Sequence, residues 1–183
     1  MTDETADATL QRWVAEEAAI RRRRGQPGVI SPEQAAGKTG LQIFQAIFAG
    51  ELPYPPIGDT LDFLPVLIEH GHAVFQGRPG RAHYNPMGIV HGGWFATLLD
   101  SALGCAVQAA LPAGKGYTTL ELKVNMIRAL SAKVPRVRAE GQVIHVGGQT
   151  ATAEARLVGP DGKLYAHGST TCLVFDLRPP AKA

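Results

Sequence analysis

One stretch of this 183-residue chain gathers residue types that can do chemistry: Asn85-Pro-Met-Gly-Ile-Val-His91-Gly92-Gly93-Trp94-Phe-Ala-Thr-Leu-Leu-Asp100. Asn-Pro and the glycines mark a tight turn, which feeds a helix expected to begin near Gly92. Glycines at a helix start leave the first N–H groups unobstructed. Together with the helix dipole, those groups make a site for an anion or a polarised carbonyl. The following residues are apolar on nearly every side, so the helix is expected to be buried. Asp100 sits inside it, two turns in, and a buried ionised aspartate is costly unless paired or functional. From the helix alone, Asp100 is either a catalytic carboxylate, a partner of a Ser or Thr hydroxyl, or a residue facing solvent. His91 alone reads equally as a histidine that holds the turn.

Taken together, the pattern is more specific. Asn-x-x-Gly-x-x-His-Gly-Gly, with an aspartate nine residues after the histidine, resembles the phenylacetate-degradation-type thioesterases of the hotdog superfamily. The resemblance runs roughly from Pro55 to Phe175 and continues in Thr119-Leu-Glu-Leu-Lys-Val-Asn-Met-Ile-Arg128. It implies an α+β hotdog fold, a curved antiparallel sheet wrapped around one long central helix. The thioesterase domain would span 55–177, after an N-terminal helical extension over 1–54 and before a flexible tail at 178–183. It implies hydrolysis of an acyl- or aromatic-acyl-CoA. The Gly92 N–H would polarise the thioester carbonyl, and Asn85 would hold that carbonyl region or the water. His91 would shape the turn and aid the leaving thiolate. Asp100 would activate water or attack directly. Thr119 matches a hydroxyl position that orients the water, with Thr118 one residue away as the alternative register. Gly93, Trp94 and Arg128 are implied substrate contacts, and Phe95 could join Trp94 in lining the pocket, although core packing is the default for both aromatics. By position alone, Arg78, Arg81 and Arg128 are candidates to meet CoA phosphates, each reading more readily as a solvated surface arginine. In the family, Asp100 of one subunit faces Gly92 and Asn85 of its neighbour, so a homodimer is expected, assembled as a dimer of dimers. Where the family often has Arg-Pro, this chain has Arg128-Ala129.

The elements that must position these residues are legible in outline. Residues 9–24 read as a helix, ending in the run Arg21–Arg24, a solvated helix end more readily than an anion patch. Ser31-Pro32-Glu33-Gln34 has the form of a helix start, and Gly40–Ala49 carries Leu41, Phe44, Ile47 and Phe48 on one side. Leu52–Pro56 must be extended. Leu61–Glu69 and Gly71–Arg78 read as a hairpin turning at His70-Gly71. After the apolar helix, Thr119–Arg128 alternates, with Leu120, Leu122, Val124 and Met126 on one face and Thr119, Glu121, Lys123 and Asn125 on the other. Three more strands follow, separated by Gly147-Gly148 and Pro160-Asp161-Gly162, in an expected four-strand antiparallel meander. The N-terminal aromatics Phe44, Phe48 and Tyr54, with Pro55-Pro56, either cover the acyl pocket or pack as an extension.

Composition narrows the function classes. With 45% hydrophobic and 19% charged residues the chain is an ordinary globular one, and a net charge of +2 is too small to point to nucleic acid. Cys105 and Cys172 make no metal-type spacing and read as two reduced thiols in the core. No metal cluster or nucleotide loop is visible, so no cofactor is expected. The acidic, polar opening has no secretory character, and Asp100 inside the longest apolar run argues against a membrane span; a cytoplasmic location is the expectation. Two rivals stand beside the hydrolase. A hydratase needs a histidine and a carboxylate working together, a signature not seen here. A non-catalytic acyl-CoA-binding or regulatory protein needs a partner-binding module, and the N-terminal residues show no clear helix-turn-helix.

Overall fold

In the computed structural model, which describes residues 3–177, a six-stranded antiparallel sheet curves around one long helix. The segment 178–183, expected to be a loose tail, lies outside the described residues. The central helix is α5 (Gly92–Ala110), ten of whose residues are buried. Its sheet consists of β1 (Phe63–Glu69), β2 (His72–Gly77), β3 (Lys115–Met126), β4 (Val137–Val146), β5 (Thr150–Val158) and β6 (Leu164–Asp176). The spatial order is β1-β2-β4-β5-β6-β3. Strands β4, β5 and β6 form the expected meander, but β3 does not pair with β4: it closes the far side of the sheet against β6. The segment between β3 and β4 therefore crosses over, with Val90 N–H donating to the carbonyl of Leu130, itself fully buried.

Alternation sets which side chains reach the helix. Ala151, Ala153, Ala155 and Leu157 of β5 face inward, as their spacing predicts. Small residues there let α5 lie close. At Gly141 of β4 a Cβ would come 2.5 Å from the Ala102 carbonyl oxygen, so helix and sheet meet backbone to backbone. In β3 the expected alternation fails. A bulge between Thr119 and Glu121 shifts the register: Thr119 faces α5, Leu122 and Val124 pack on the core, and Leu120 is 60% exposed. Strand β3 also starts earlier than the apolar pattern shows, at Lys115.

The N-terminal part packs on this body by two routes. Helix α1 (Asp3–Arg23) contributes Trp13 and Glu17, both buried. The side-chain amide of Gln76, from β2, donates to the Trp13 carbonyl and to Glu17 Oε2, and Arg136 Nε donates to Glu17 at 2.6 Å. The Arg138 guanidinium lies 4.4 Å from the Trp13 ring centre and pairs with Glu16. The run Arg21–Arg24 is not simply a solvated end: Arg21 bonds Glu17 and Asp62, while Arg24 bonds Asp59 and stacks on Tyr54. Helix α2 (Pro32–Ala35) is capped by Ser31 as its sequence predicts. Helix α3 (Gly40–Ala49), capped by Thr39 at one end and left-handed Gly50 at the other, brings Leu41, Phe44 and Phe48 against the main core. Gly40 is required there, because a Cβ would fall 1.7 Å from the Gln108 carbonyl oxygen of α5. Phe44 and Phe48 are thus partly buried against the core. A short helix α4 (Ile57–Leu61) precedes β1, so Leu61 ends a helix where a strand start was expected. The turn out of it is Asp62, at φ 51°, held by Arg21 and Arg78.

Candidate active site

The loop before α5 is built by Asn85. Its side-chain oxygen accepts the N–H groups of Met87 at 2.9 Å and Ile89 at 3.3 Å, and its backbone N–H donates to the Ile89 carbonyl. Gly88 turns the loop at φ 80°, a conformation that favours glycine. With the oxygen so occupied, the Asn85 amide group keeps its donors available; among the described residues they have no partner. His91 is the N-cap of α5: its Nδ1 accepts the Gly93 N–H at 2.8 Å. An accepting Nδ1 must be unprotonated, so neutral His91 carries its proton on Nε2 and presents it outward from an exposed ring. The cap satisfies Gly93 and leaves the Gly92 N–H, which has no hydrogen-bond partner among the described residues. A side chain at position 92 would collide with Met126, whose Cε would lie 2.7 Å from an added Cβ. Met126 is a flexible, half-exposed side chain that can move aside, so the contact favours a small residue at 92 without demanding glycine.

Asp100 lies on the one side of α5 that the sheet does not cover, together with Gly93, Ala96, Thr97 and Ser101. The Thr119 hydroxyl donates to Asp100 Oδ1 at 3.1 Å, while Thr118 is exposed on the opposite face of β3. The second carboxylate oxygen has no partner among the described residues. Asp100 also acts on its neighbours: burial first, then the nearby carboxylate, pushes the Cys105 thiol up to about 12, so it stays protonated. Cys172 is likewise held above the ordinary thiol range by burial. Both cysteines are free, with Cys172 buried and Cys105 partly so. One turn beyond Asp100, Gly104 carries the ring of Tyr117, a β3 residue; a Cβ at 104 would stand 2.2 Å from its hydroxyl.

The other residues singled out from the sequence are placed as follows. Trp94 is committed to the core: it is 4% exposed, its indole N–H donates to the Leu61 carbonyl at 2.9 Å, and its ring stacks with His83. Phe95 is also buried. A recess of about 380 Å³ opens on this flank, lined by Leu61, His83, Tyr84, His91, Gly93 and Thr97 among others. Burial holds the His83 imidazole below its ordinary range, a residue that the spacing argument had passed over. Arg78 is taken up by Asp62, whereas Arg81 and Arg128 are exposed and have no ion-pair partner among the described residues. No cluster of three or more His, Cys, Asp or Glu residues that could hold a metal occurs among the described residues. Nor, among them, is any helix long and apolar enough to cross a membrane.

A second geometric fact concerns what lies apart. Gly92 and Asp100 stand on one helix, eight residues apart, so the rise between them is about 12 Å. A donor and a base that act on one carbonyl must both come within about 3 Å of it. Within a single copy of the chain, the helix holds these two well apart.

Comparison with known proteins sets this geometry among relatives. Residues 87–166, which run from the loop after Asn85 through α5, β3, β4 and β5 into β6, match the sequence profile of the thioesterase superfamily. A protein of Halobacterium salinarum provisionally named an esterase is 37% identical over 75 residues, 40% of this chain. The match spans 48%, about half, of that relative's length. Among solved structures, a phenylacetic acid degradation-related protein of Ralstonia eutropha, provisionally named a thioesterase, superposes with a TM-score of 0.65 at 27% identity, over 71% of this chain and 98% of that one. A variant of the phenylacetic acid degradation protein PaaI from Thermus thermophilus gives 0.58 at 28% identity, over 64% of this chain and 97% of that one.

Proposed function

We propose that this chain, whose residues 87–166 match the thioesterase superfamily, hydrolyses acyl- or aromatic-acyl-CoA thioesters, with Asp100 as the catalytic carboxylate. The observation that carries the reading is the Asp100–Thr119 pair, a carboxylate with one oxygen held by a hydroxyl and the other open, on the uncovered side of a buried helix. Asp100 takes a proton from water, or adds directly to the thioester carbon; Thr119 fixes the carboxylate and the water beside it. The free Gly92 N–H, aided by the helix dipole and the Asn85 amide, takes up charge on the carbonyl oxygen. His91 keeps the helix start in place and presents Nε2–H on the side where the thiolate leaves.

On this reading each site draws on two copies of the chain, Asp100 from one and Gly92 with Asn85 from the other, and the helix rise of about 12 Å between Gly92 and Asp100 supports it. Supporting this, β3 is an edge strand with one neighbour, and Leu120, Met126, Ile127 and Met87 are all more than half exposed along and beside it. Pairing of β3 with its counterpart would set the uncovered faces of the two α5 helices together. A further pairing into a dimer of dimers, and a cytoplasmic location, remain part of the proposal. Exposed Arg81 and Arg128 stand as the cations for CoA phosphates, and Gly93 as a wall of the site.

The test is CoA release from a panel of straight-chain and aromatic acyl-CoA thioesters, with wild type and Asp100→Asn side by side. Turnover of at least one member, falling by about 10²-fold or more in the variant, is the expected result. Retained CoA binding without turnover of any member would overturn it in favour of a binding protein.

A further inference from the structure

Tyr117 is the residue on the uncovered face of α5 that the reaction above leaves without a task. Its side chain leaves β3 on the same side as Thr119 and crosses the helix at Gly104. Gly104 is glycine because the Tyr117 hydroxyl occupies the space of its missing side chain, 2.2 Å from where a Cβ would sit. Glycine in a helix interior is unfavourable relative to alanine, and here the space it vacates holds a phenol. The hydroxyl has no hydrogen-bond partner among the described residues, and it is not among buried polar atoms left unsatisfied, so it reaches solvent. It is therefore an unspent donor opening onto the same face as Asp100. Burial first, then the neighbouring Cys105 and Asp100, raises the phenol above its ordinary range, so its proton is kept at every physiological pH. The neighbouring thiols Cys105 and Cys172 are both held above their ordinary range by burial, so they stay protonated beside it.

We propose that the Tyr117 hydroxyl is a specificity subsite, which donates a hydrogen bond to an acceptor oxygen on the acyl group. The proposal rests on Asp100 marking the position of the thioester carbon. Four residues of helix separate Asp100 from Gly104, a rise of about 6 Å. An acyl group running from Asp100 toward the C-terminal end of α5 brings its fourth to sixth carbon beside the phenol. The substrate class so defined is an acyl-CoA with a keto or hydroxyl oxygen at that distance, in place of an unsubstituted chain. A site built to bond such an oxygen discriminates against the analogue that lacks it, because the donor is then left unpaired against apolar atoms.

The experiment uses CoA thioethers, which cannot be hydrolysed, so that it does not depend on turnover. Binding of 4-, 5- and 6-oxoheptyl-CoA is compared with that of heptyl-CoA in wild type, Tyr117→Phe and Gly104→Ala. In wild type at least one oxo ligand is expected to bind about tenfold more tightly than heptyl-CoA, the scale of one net hydrogen bond. Tyr117→Phe keeps the ring and removes the donor; Gly104→Ala keeps the donor and displaces it. Both are expected to bring the ratio to within about twofold of unity. Equal affinities in wild type, or an oxo preference that survives Tyr117→Phe, would overturn the subsite. Failure of thioester turnover alone would overturn the hydrolase reading and leave this ratio as the measure of the subsite.

Discussion

At the scale of single residues, the proposed site occupies some hydrogen-bonding groups so that others stay free. Asn85 spends its side-chain oxygen on the loop and keeps its amide; His91 takes the Gly93 N–H and leaves that of Gly92. Thr119 fixes one oxygen of Asp100 and leaves the second. Replacing Thr119 with Val, nearly the same shape, should lower kcat/KM about 10-fold with little change in melting temperature, which paired steady-state kinetics and thermal melts would show; that factor is the scale of a hydrogen bond to a charged group. The motif residues were legible before the fold because each is tied to a turn, a cap or a helix start by its own chemistry. Tyr117 was not. The signal available was Gly104, a glycine in the middle of an apolar helix, which marks a close approach without saying what approaches. Trp94 shows the opposite limit: its position beside the glycines marks it for substrate, yet its indole N–H is spent on Leu61.

At the scale of elements, what the sequence shows depends on whether an element is set by local rules. Helix α3 is delimited as expected because Thr39 and Gly50 cap it, and β5 follows its alternating alanines. Strand β3 departs from its pattern because a bulge after Thr119 is set by pairing with β6, a strand some fifty residues on. That bulge is what turns Thr119 to Asp100. Helix α1 was expected shorter, and its docking was not visible at all, since the hydrogen bonds from Gln76 and Arg136 to Glu17 come from distant strands. These contacts make a prediction about acid. Burial acts to raise the Glu17 carboxyl, but bonds from Arg136, Gln76 and Arg21 outweigh it and hold it below the ordinary carboxylate range. A depressed pKa stabilises the fold above the range of a free carboxylate, and that contribution disappears as pH falls through the folded value. Glu17→Gln should therefore cost on the order of 2 kcal/mol near neutrality, with the deficit shrinking below about pH 4, as denaturant unfolding across pH would show. A deficit that stays constant with pH would mean that the charge of Glu17 does not hold α1.

At the scale of the whole molecule, a single copy is structurally complete, and the proposed mechanism divides its chemistry between two copies. Its core closes around α5, yet the uncovered helix face and the open edge of β3 lie side by side with exposed Leu120, Met126 and Ile127. Leu120→Glu, a charge placed where no buried atom depends on it, is expected to give a folded monomer with unchanged circular dichroism. Sedimentation should show the loss of the dimer, and turnover should fall with it in proportion to the dimer remaining. A monomer as active as wild type would show that one copy suffices. The sequence pattern gives the sheet-and-helix architecture but not strand order, since β3 and β4 are consecutive in the chain and apart in the sheet. Nothing local records that separation.

The contact between Gly141 and the Ala102 carbonyl, and that between Gly40 and the Gln108 carbonyl, share a property that bears on how Asp100 is held. Both are contacts of main chain on main chain, two residues and eight residues along the helix from the carboxylate. They depend on no side-chain torsion angles that could become disordered. Side chains in the core exchange rotamers as temperature rises, and a helix seated only on them would drift as they loosen. This helix rests on stops with no moving parts. Its register against the sheet, and with it the distance from Asp100 to Thr119, should remain constant until the sheet itself comes apart.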